Sequence, residues 1–197
     1  MTGVAHAPKP FRRACEIKIG ARLFVADVSG ALWHEGERTL TVADLHLEKA
    51  SSFARRGMLL PPYDSTATLA ALAAAIARYD PLRVISLGDG FHDTEGATRL
   101  SADCRVALRA MQAGRDWVWV KGNHDSKAPA GLPGDHVEAC DIAGIEARHE
   151  PCAVLGGAGE VAGHLHPVAR IVARGGGVRR RCFAGDGRRC ILPAFGA

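Results

Sequence analysis

The sequence predicts an α/β domain of two sheets with helices outside, and three observations carry that reading. Short apolar runs alternate with helical periodicity through the middle of the chain, the rhythm of strands joined by crossover helices. Three of those runs, Thr39–Ala43, Arg83–Leu87 and Trp117–Val120, each end in a polar cluster. Ligands of α/β folds gather beyond the carboxyl ends of strands, so the clusters mark one candidate site. After a Pro/Gly-rich loop at 128–134 the pattern returns to short β-like runs, enough for a second sheet.

Residues 1–14 hold Pro8, Lys9, Pro10, Arg12 and Arg13 without an apolar core. They read as a loose tail rather than a secretory signal, and leave 15–197 as a single domain. Four β-like runs follow at 16–19, 23–26, 31–34 and 39–43, punctuated by Gly20, Ser29-Gly30 and Gly36, which predicts a meander. Residues 47–58 read as a helix ending at Arg55, Arg56 and Gly57. Pro61-Pro62 break the chain, and Asp64 or Ser65 caps the next helix. Its apolar face is Leu69, Leu72, Ala73 and Ile76, and Pro81 stops it. Arg83–Leu87 is a short buried strand, and a helix over 99–113 precedes Trp117–Val120. Trp117 and Trp119 share a face of that strand as core. Strands are then predicted at 142–148, 152–155, 168–173, 179–184 and 189–192.

The six Cys (15, 104, 140, 152, 182 and 190) show neither C-x-x-C pairing nor zinc-ribbon spacing. Without an export signal they read as reduced thiols in a cytoplasmic protein, packed as small hydrophobes. No run approaches a membrane span, so no membrane partner is expected. A net charge of +4 admits a polyanionic partner without requiring one.

The chemistry lies in the polar clusters. Gly122-Asn123-His124-Asp125 sets an amide, an imidazole and a carboxylate in succession at a strand end. Groups packed so densely cost folding energy unless something binds them, which suggests a divalent metal and a phosphate. Asp44 and His46 are two apart and would share a face on a strict strand; His164 and His166 repeat that spacing. Asp89 adds a second carboxylate, and His149 ends a further run. Such donors, without thiolate, suit Mn²⁺, Fe²⁺ or Zn²⁺. Two ions about 3.5–4 Å apart need a bridging carboxylate, and Asp89 stands midway in motif order. Two divalent ions with Asp44 and Asp89 leave a charge of about +2, which a hydroxide and a phosphodiester would neutralise. A monoester dianion would overshoot, so the count favours diesters. His6, His34 and His136 match no motif and read as surface or packing residues. Asp93 and Asp125 read as supports for the site rather than as ligands.

Asp44-x-His46, Gly88-Asp89, Gly122-Asn123-His124-Asp125, His149 and Gly163-His164-x-His166, in that order, resemble the calcineurin-like metallophosphoesterase signature. The run Gly88-Asp89-Gly90-Phe91-His92 further resembles the SbcD-type nuclease branch. Residues 42–49, 59–64 and 191–197 are similar to the ligase-associated DNA-damage-response endonucleases of bacterial repair clusters, the PdeM subfamily. Members of that subfamily continue past the final Phe-Gly-Ala with a Gly-rich tail, so the resemblance implies a trimmed C-terminus.

The resemblance implies a two-sheet sandwich flanked by helices, α-β-β-α. It implies that Asp44, His46, Asp89 and His166 hold one divalent ion, Mn²⁺ foremost. Asp89, Asn123, His149 and His164 would hold the other. A hydroxide bridging the metals would attack phosphorus while His124 assists the leaving oxygen. His92 would sit beside His124, orienting it or touching the phosphate. The implied substrate is single-stranded or flexible DNA, the implied partners are repair proteins of a ligase-associated cluster, and no ATPase partner is required. A small-molecule phosphodiesterase or phosphatase is the alternative, since fold does not fix substrate. A non-catalytic scaffold on this fold is disfavoured because no ligand position is missing. Finally, Arg170, Arg174, Arg179, Arg180, Arg181, Arg188 and Arg189 form an Arg-rich end. It reads either as solvated surface or as a stripe tracking DNA phosphates.

Overall fold

The computed structural model describes residues 14–173 and 176–196. An antiparallel meander opens the chain: β1 (Ala14–Ile19), β2 (Arg22–Asp27), β3 (Leu32–His34) and β4 (Thr39–Ala43). Ala14 already pairs with Asp27, so β1 takes the last residue of the expected tail; the rest of that tail and His6 lie outside the described residues. Two helices follow, α1 (Lys49–Ala54) and α2 (Asp64–Tyr79), then β5 (Arg83–Leu87), α3 (Gly96–Arg99), α4 (Ala102–Gln112), β6 (Asp116–Val120) and β7 (Asp135–Val137). From β4 onward the strands run parallel, which completes a seven-stranded sheet in sequence order.

The second half adds β8 (Ala139–Ile142), β9 (Ile145–Arg148), β10 (Glu160–Ala162), β11 (Val168–Ala173), β12 (Gly176–Arg181), β13 (Ala184–Gly185) and β14 (Arg189–Ile191). Five of these form a second sheet in the order β13-β14-β10-β9-β8, while β11 and β12 pair with each other as a hairpin.

Packing follows strand alternation. On β4 to β6, Leu40, Val42, Val84, Trp117 and Trp119 face one way, into a core shared with Leu69, Leu72 and Ile76 of α2 and Leu108 of α4. Ala43, Ile85, Leu87, Val118 and Val120 face the other way, onto Ile142, Ile145, Ala147 and Val161 of the second sheet. Parallel strands covered on both faces need such near-continuous apolar runs. The result is helices on sheet on sheet; among the described residues all four helices precede β6 in the chain.

Several elements depart from sequence expectation for identifiable reasons. The helix expected over 47–58 shrinks to Lys49–Ala54, because Glu48 takes a left-handed φ of 64°. Asp64 and Ser65 cap α1 rather than α2: Asp64 Oδ2 accepts from Ala50 N at 3.0 Å and Ser65 Oγ from Glu48 N at 2.8 Å. A short helix leaves its first amides unpaired, and these side chains satisfy them. On α2 the buried stripe takes Ala75 and leaves Ala73 exposed. The helix over 99–113 divides at Leu100, with Ser101 capping α4 through Cys104 N. Residues 142–148 hold a hairpin turn at Ala143-Gly144, both at positive φ. No strand forms at 152–155, where Val154 is 83% exposed. β7 and β10, three residues each, were too short to leave a periodic signal. Of the thiols, Cys104 and Cys190 are buried but Cys15 is exposed, contrary to the packing expected of all six.

One polar network ties the meander to α2. Buried Asp27 accepts from Arg78 Nη1 at 2.6 Å, Tyr79 Oη at 2.7 Å and Ser29 N at 2.8 Å. Burial alone would raise its pKa, but these donors outweigh it and hold the carboxyl below its usual range. A folded pKa below the unfolded one stabilises above the ordinary carboxylate range and is lost as pH falls through the folded value. Asp27→Ala should therefore cost about 2–3 kcal/mol in urea unfolding at pH 7. The gap to wild type should narrow in acid; a gap indifferent to pH would contradict the assignment.

Candidate metal centre

Sheet register brings the motifs together. Ala43, Leu87 and Val120 lie level across β4, β5 and β6, so the loops that follow leave from one edge. In the second sheet Arg148 and Ala162 are level across β9 and β10, and His149 and Gly163 come next. Five loops thus meet where parallel strands of both sheets end.

Backbone bonds then lock the loops to one another. Asp44 N donates to Gly88 O, His46 N to Asp89 O at 2.9 Å, Leu47 N to Gly90 O, and His92 N back to Leu47 O. This ladder continues the β4–β5 pairing through residues that are not strand. Asp44, His46, Asp89, His164 and His166 all hold positive φ, between 43° and 66°. The strict-strand argument for Asp44 and His46 therefore fails; left-handed turns, not alternation, aim their side chains. Each costs about 1–2 kcal/mol or more of local strain, which surrounding contacts must hold in place.

The side chains converge. Asp44 is fully buried and Asp89 is 2% exposed. His166 Nε2 stands 3.2 Å from Asp44 Oδ1 and 3.4 Å from His46 Nε2. On the other side His149 Nε2 lies 2.9 Å from Asn123 Oδ1 and 3.4 Å from Asp89 Oδ2. His164 Nδ1 lies 3.1 Å from the same Asn123 oxygen. Two overlapping groups have ligand atoms within 4.8 Å of one another: Asp44, His46 and His166, and Asp44, Asp89 and His149. Both contain Asp44. Asp89 enters one of them, and its Oδ1 accepts from His124 N at 2.9 Å.

These residues fit divalent metal. His149 Nδ1 contacts Leu87 O, a pure acceptor, so it must carry the proton. In the neutral ring the Nε2 lone pair then faces two oxygens that also offer only lone pairs. Three Lewis bases aimed at one point repel unless a cation lies between them. The ionisation trends agree. Burial drives His46 down to about 4, with His166 and His92 adding to the effect against Asp89 and Asp44, so it stays neutral with a free lone pair. Burial would also lower His149, but Asp89 and Asp44 raise it on balance; His166 is raised, chiefly by Asp44. The buried carboxylates draw positive charge wherever they find it.

The motif glycines explain how the groups come so close. A Cβ on Gly88 would lie 2.2 Å from the His149 ring, one on Gly122 2.0 Å from Asp89 Oδ1, and one on Gly163 2.8 Å from Asp44 Oδ2. Each glycine makes room for an acidic or imidazole side chain carried by a different motif.

All seven sequence-expected ligands lie in this cluster, with His124 and His92 beside it. His124 Nδ1 donates to His92 O at 3.0 Å, so the orienting group at position 92 is the backbone carbonyl, which any residue could supply. The His92 ring stacks on the His124 ring at 5.2 Å and packs near Phe53. Asp125 accepts from Gly122 N and Phe91 N, tying two loops together; burial pushes its carboxyl up to about 6 despite both donors. Asp93 pairs with Arg99 at 2.7 Å, away from the ligands. Sequence reasoning missed Glu160, a buried carboxylate that accepts from Cys152 N and Arg189 Nε and holds the segment after His149. Only its place in a three-residue strand could have marked it. A cavity of about 1020 Å³ lies between β1, β2 and residues 181–183 and is lined by none of the candidate ligands, so volume alone does not locate the site.

Residues 37–177, which span every loop of this cluster, match the family model of the calcineurin-like phosphoesterases. The chain belongs to that family. Its members are metal-dependent hydrolases of phosphate esters that use divalent ions, as the donor set requires. The crystal structure of the Pseudomonas putida nuclease MPE is similar over 93% of this chain and 88% of that one, with a TM-score of 0.73 and 29% sequence identity. No curated protein matches the chain. No helix among the described residues is long and apolar enough to cross a membrane.

Metal should therefore act as a folding ligand of this phosphoesterase. At about 100 times its Kd, Mn²⁺ should add about 2.7 kcal/mol and raise the melting temperature. Gly122→Ala, which drives a methyl into Asp89, should lose most of that increase. Equal shifts in both proteins would show that the cluster is not the binding site.

Proposed function

We propose that this phosphoesterase is a dinuclear-metal phosphodiesterase that cuts DNA internally, with Mn²⁺ its foremost metal, in bacterial DNA repair. The observation that carries the reading is the convergence of two buried carboxylates, four imidazoles and an amide beside the free edge of His124. Similarity to a nuclease supports the substrate class, and the segments resembling ligase-associated endonucleases support the repair setting. Asp44, His46, Asp89 and His166 would hold one ion, and Asp89, Asn123, His149 and His164 the other. Bound ions supply Lewis acidity and water activated at neutral pH. Mn²⁺, Fe²⁺ and Zn²⁺ all suit the donors.

The chain's own residues do the rest. Because Nδ1 of His124 is committed to the His92 carbonyl, Nε2 is the edge that can give a proton to the leaving oxygen. Its side chain is 42% exposed, as is 43% of His166, while Asp44, Asp89 and His149 close the floor. A floor of buried ligands under an open rim admits internal positions of a strand. On this reading cleavage needs no ATPase partner.

The Arg-rich end contributes unequally. Arg181 donates to the carbonyls of Ala194, Phe195 and Gly196, Arg189 pairs with Glu160, and Arg188 reaches Gly157 O. Arg174 lies outside the described residues. Arg180 donates to the neighbouring Arg179 O, which leaves Arg170 and Arg179, directly opposite each other on the β11–β12 hairpin. Like charges placed opposite are unfavourable unless an anion bridges them, which suits a DNA phosphate.

Purified protein with Mn²⁺ alone should linearise circular single-stranded DNA, and His124→Ala should slow this about 10²–10⁴-fold. Hydrolysis of bis-p-nitrophenyl phosphate with intact circles would instead indicate a small-molecule phosphodiesterase. Dependence on an added ATPase would contradict the autonomous reading. DNA cleavage by wild type should fall steeply with salt, far more than hydrolysis of the small diester. Replacing Arg170 and Arg179 by Ala should flatten the DNA salt slope by about 1 per lost phosphate contact.

A further inference from the structure

A second cavity opens directly from the metal centre. It has a volume of about 510 Å³, within the range of about 300–1,000 Å³ usual for small-molecule sites. Asn123 and His149 belong both to its lining and to the candidate ligands, so anything seated there touches the group held on the metals. Beyond them the lining carries Lys121, Arg148, Glu138 and Glu150.

Two basic and two acidic side chains share the lining. Lys121 Nζ contacts a Glu138 carboxylate oxygen within it, while Arg148 Nη2 lies 3.5 Å from Glu146 outside it. A pocket for a second phosphate would carry surplus positive charge. This one offers donors and acceptors together, which suits the edges of a base and the hydroxyl of a sugar. No Phe, Tyr or Trp side chain lines it, but the Arg148 guanidinium offers a flat face on which any base can stack. The wall is fixed before a ligand arrives. Glu160, buried behind it, accepts from Cys152 N at 2.9 Å and pairs with Arg189, which also donates to Cys152 O at 2.5 Å.

We infer that this cavity is a nucleoside pocket: it seats the base and sugar of the nucleotide whose phosphate lies on the metal centre, with Arg148 as the stacking surface and Lys121 at the rim. The inference rests on the nuclease reading and narrows it, since a site that grips the nucleoside next to the phosphate recognises nucleotides rather than phosphate esters at large. Stacking on a side-chain plane is tolerant of sequence, so little preference among bases follows.

Binding to the full-length, Mn²⁺-loaded protein tests it by calorimetry, without reliance on turnover. The probes are inorganic phosphate, dAMP and dCMP. Both nucleotides should bind about tenfold or more tighter than phosphate. Arg148→Ala, with Lys121→Ala as an independent second variant, should erase most of that advantage and leave phosphate affinity unchanged. Three results would overturn the pocket: nucleotides no tighter than phosphate, an advantage that survives both variants, or equal weakening of phosphate. The nuclease reading fails separately. Tight dAMP binding with uncut circular DNA would refute the nuclease and keep the pocket, whereas cut DNA without a nucleotide advantage would refute the pocket alone.

Discussion

Two carboxylates buried at the ends of parallel strands, Asp44 and Asp89, set the terms for everything around them. A buried anion costs several kcal/mol unless it is paired. Here imidazoles and backbone amides close on the carboxylates: His166 and His149 within 3.2–3.8 Å, and the amides of His124 and His164. A neutral imidazole gives only partial compensation, and a protonated one gives up the lone pair that makes it a ligand. Divalent cations resolve both conflicts at once, because they neutralise the carboxylates and use the lone pairs. The site is best understood as an anionic cage whose missing charge is supplied from outside the chain.

That cage could not be built from regular strands. On regular strands Asp44 and His46, like His164 and His166, would only share a sheet face, whereas five of the ligands must point inward from loops only a few residues long. Left-handed backbone at Asp44, His46, Asp89, His164 and His166 turns them in. What holds this strained geometry is mutual. The 44–47 and 88–92 loops are zipped by main-chain bonds, Asp125 staples Gly122 to Phe91, and Gly163 N reaches His149 O. The C-terminal segment adds a further clamp, with Phe195 N bound to Ala43 O and Gly196 N to Asp44 O. Loss of one loop would release its neighbours, so the centre should behave as one cooperative unit rather than as separable ligands.

Much of this was legible in the sequence, and the division between legible and hidden is physical. The seven candidate ligands and His124, which the structure brings to one cluster, could be picked out because chemistry restricts which residue types can serve, and their order along the chain is a strong constraint. The strands β4, β5 and β6 could be bounded because both faces are buried and their runs are largely apolar. Where sequence reasoning failed, the deciding contact was distant. Asp64 looked like the cap of its own helix and instead caps one fourteen residues earlier. β10 has three residues and exists because β9 and β14 flank it. At Gly88, Gly122 and Gly163 what excludes a side chain is a candidate ligand from another motif, a contact no local pattern shows.

The arginines show why composition alone misleads about nucleic-acid binding. Seven in a short span invite a single basic stripe, but burial and geometry divide them into different tasks. Arg189 answers the buried charge of Glu160, and Arg181 gathers the last carbonyls of the chain. Arg189 stabilises the second sheet, and Arg181 ties the hairpin to the C-terminal segment, so neither is available to track a strand. Arg170 and Arg179 face each other across a hairpin whose β12 is exposed along its length. A two-stranded ribbon standing alone is marginal in water, and opposed like charges weaken it further. A free surface gains nothing from that arrangement, whereas a surface that meets a polyanion gains ordering and charge neutralisation in the same event. In the proposed nuclease, electrostatic reach at the hairpin and nucleoside recognition beside Asn123 would be separate devices, one setting how tightly a strand is held and the other which group settles at the metals.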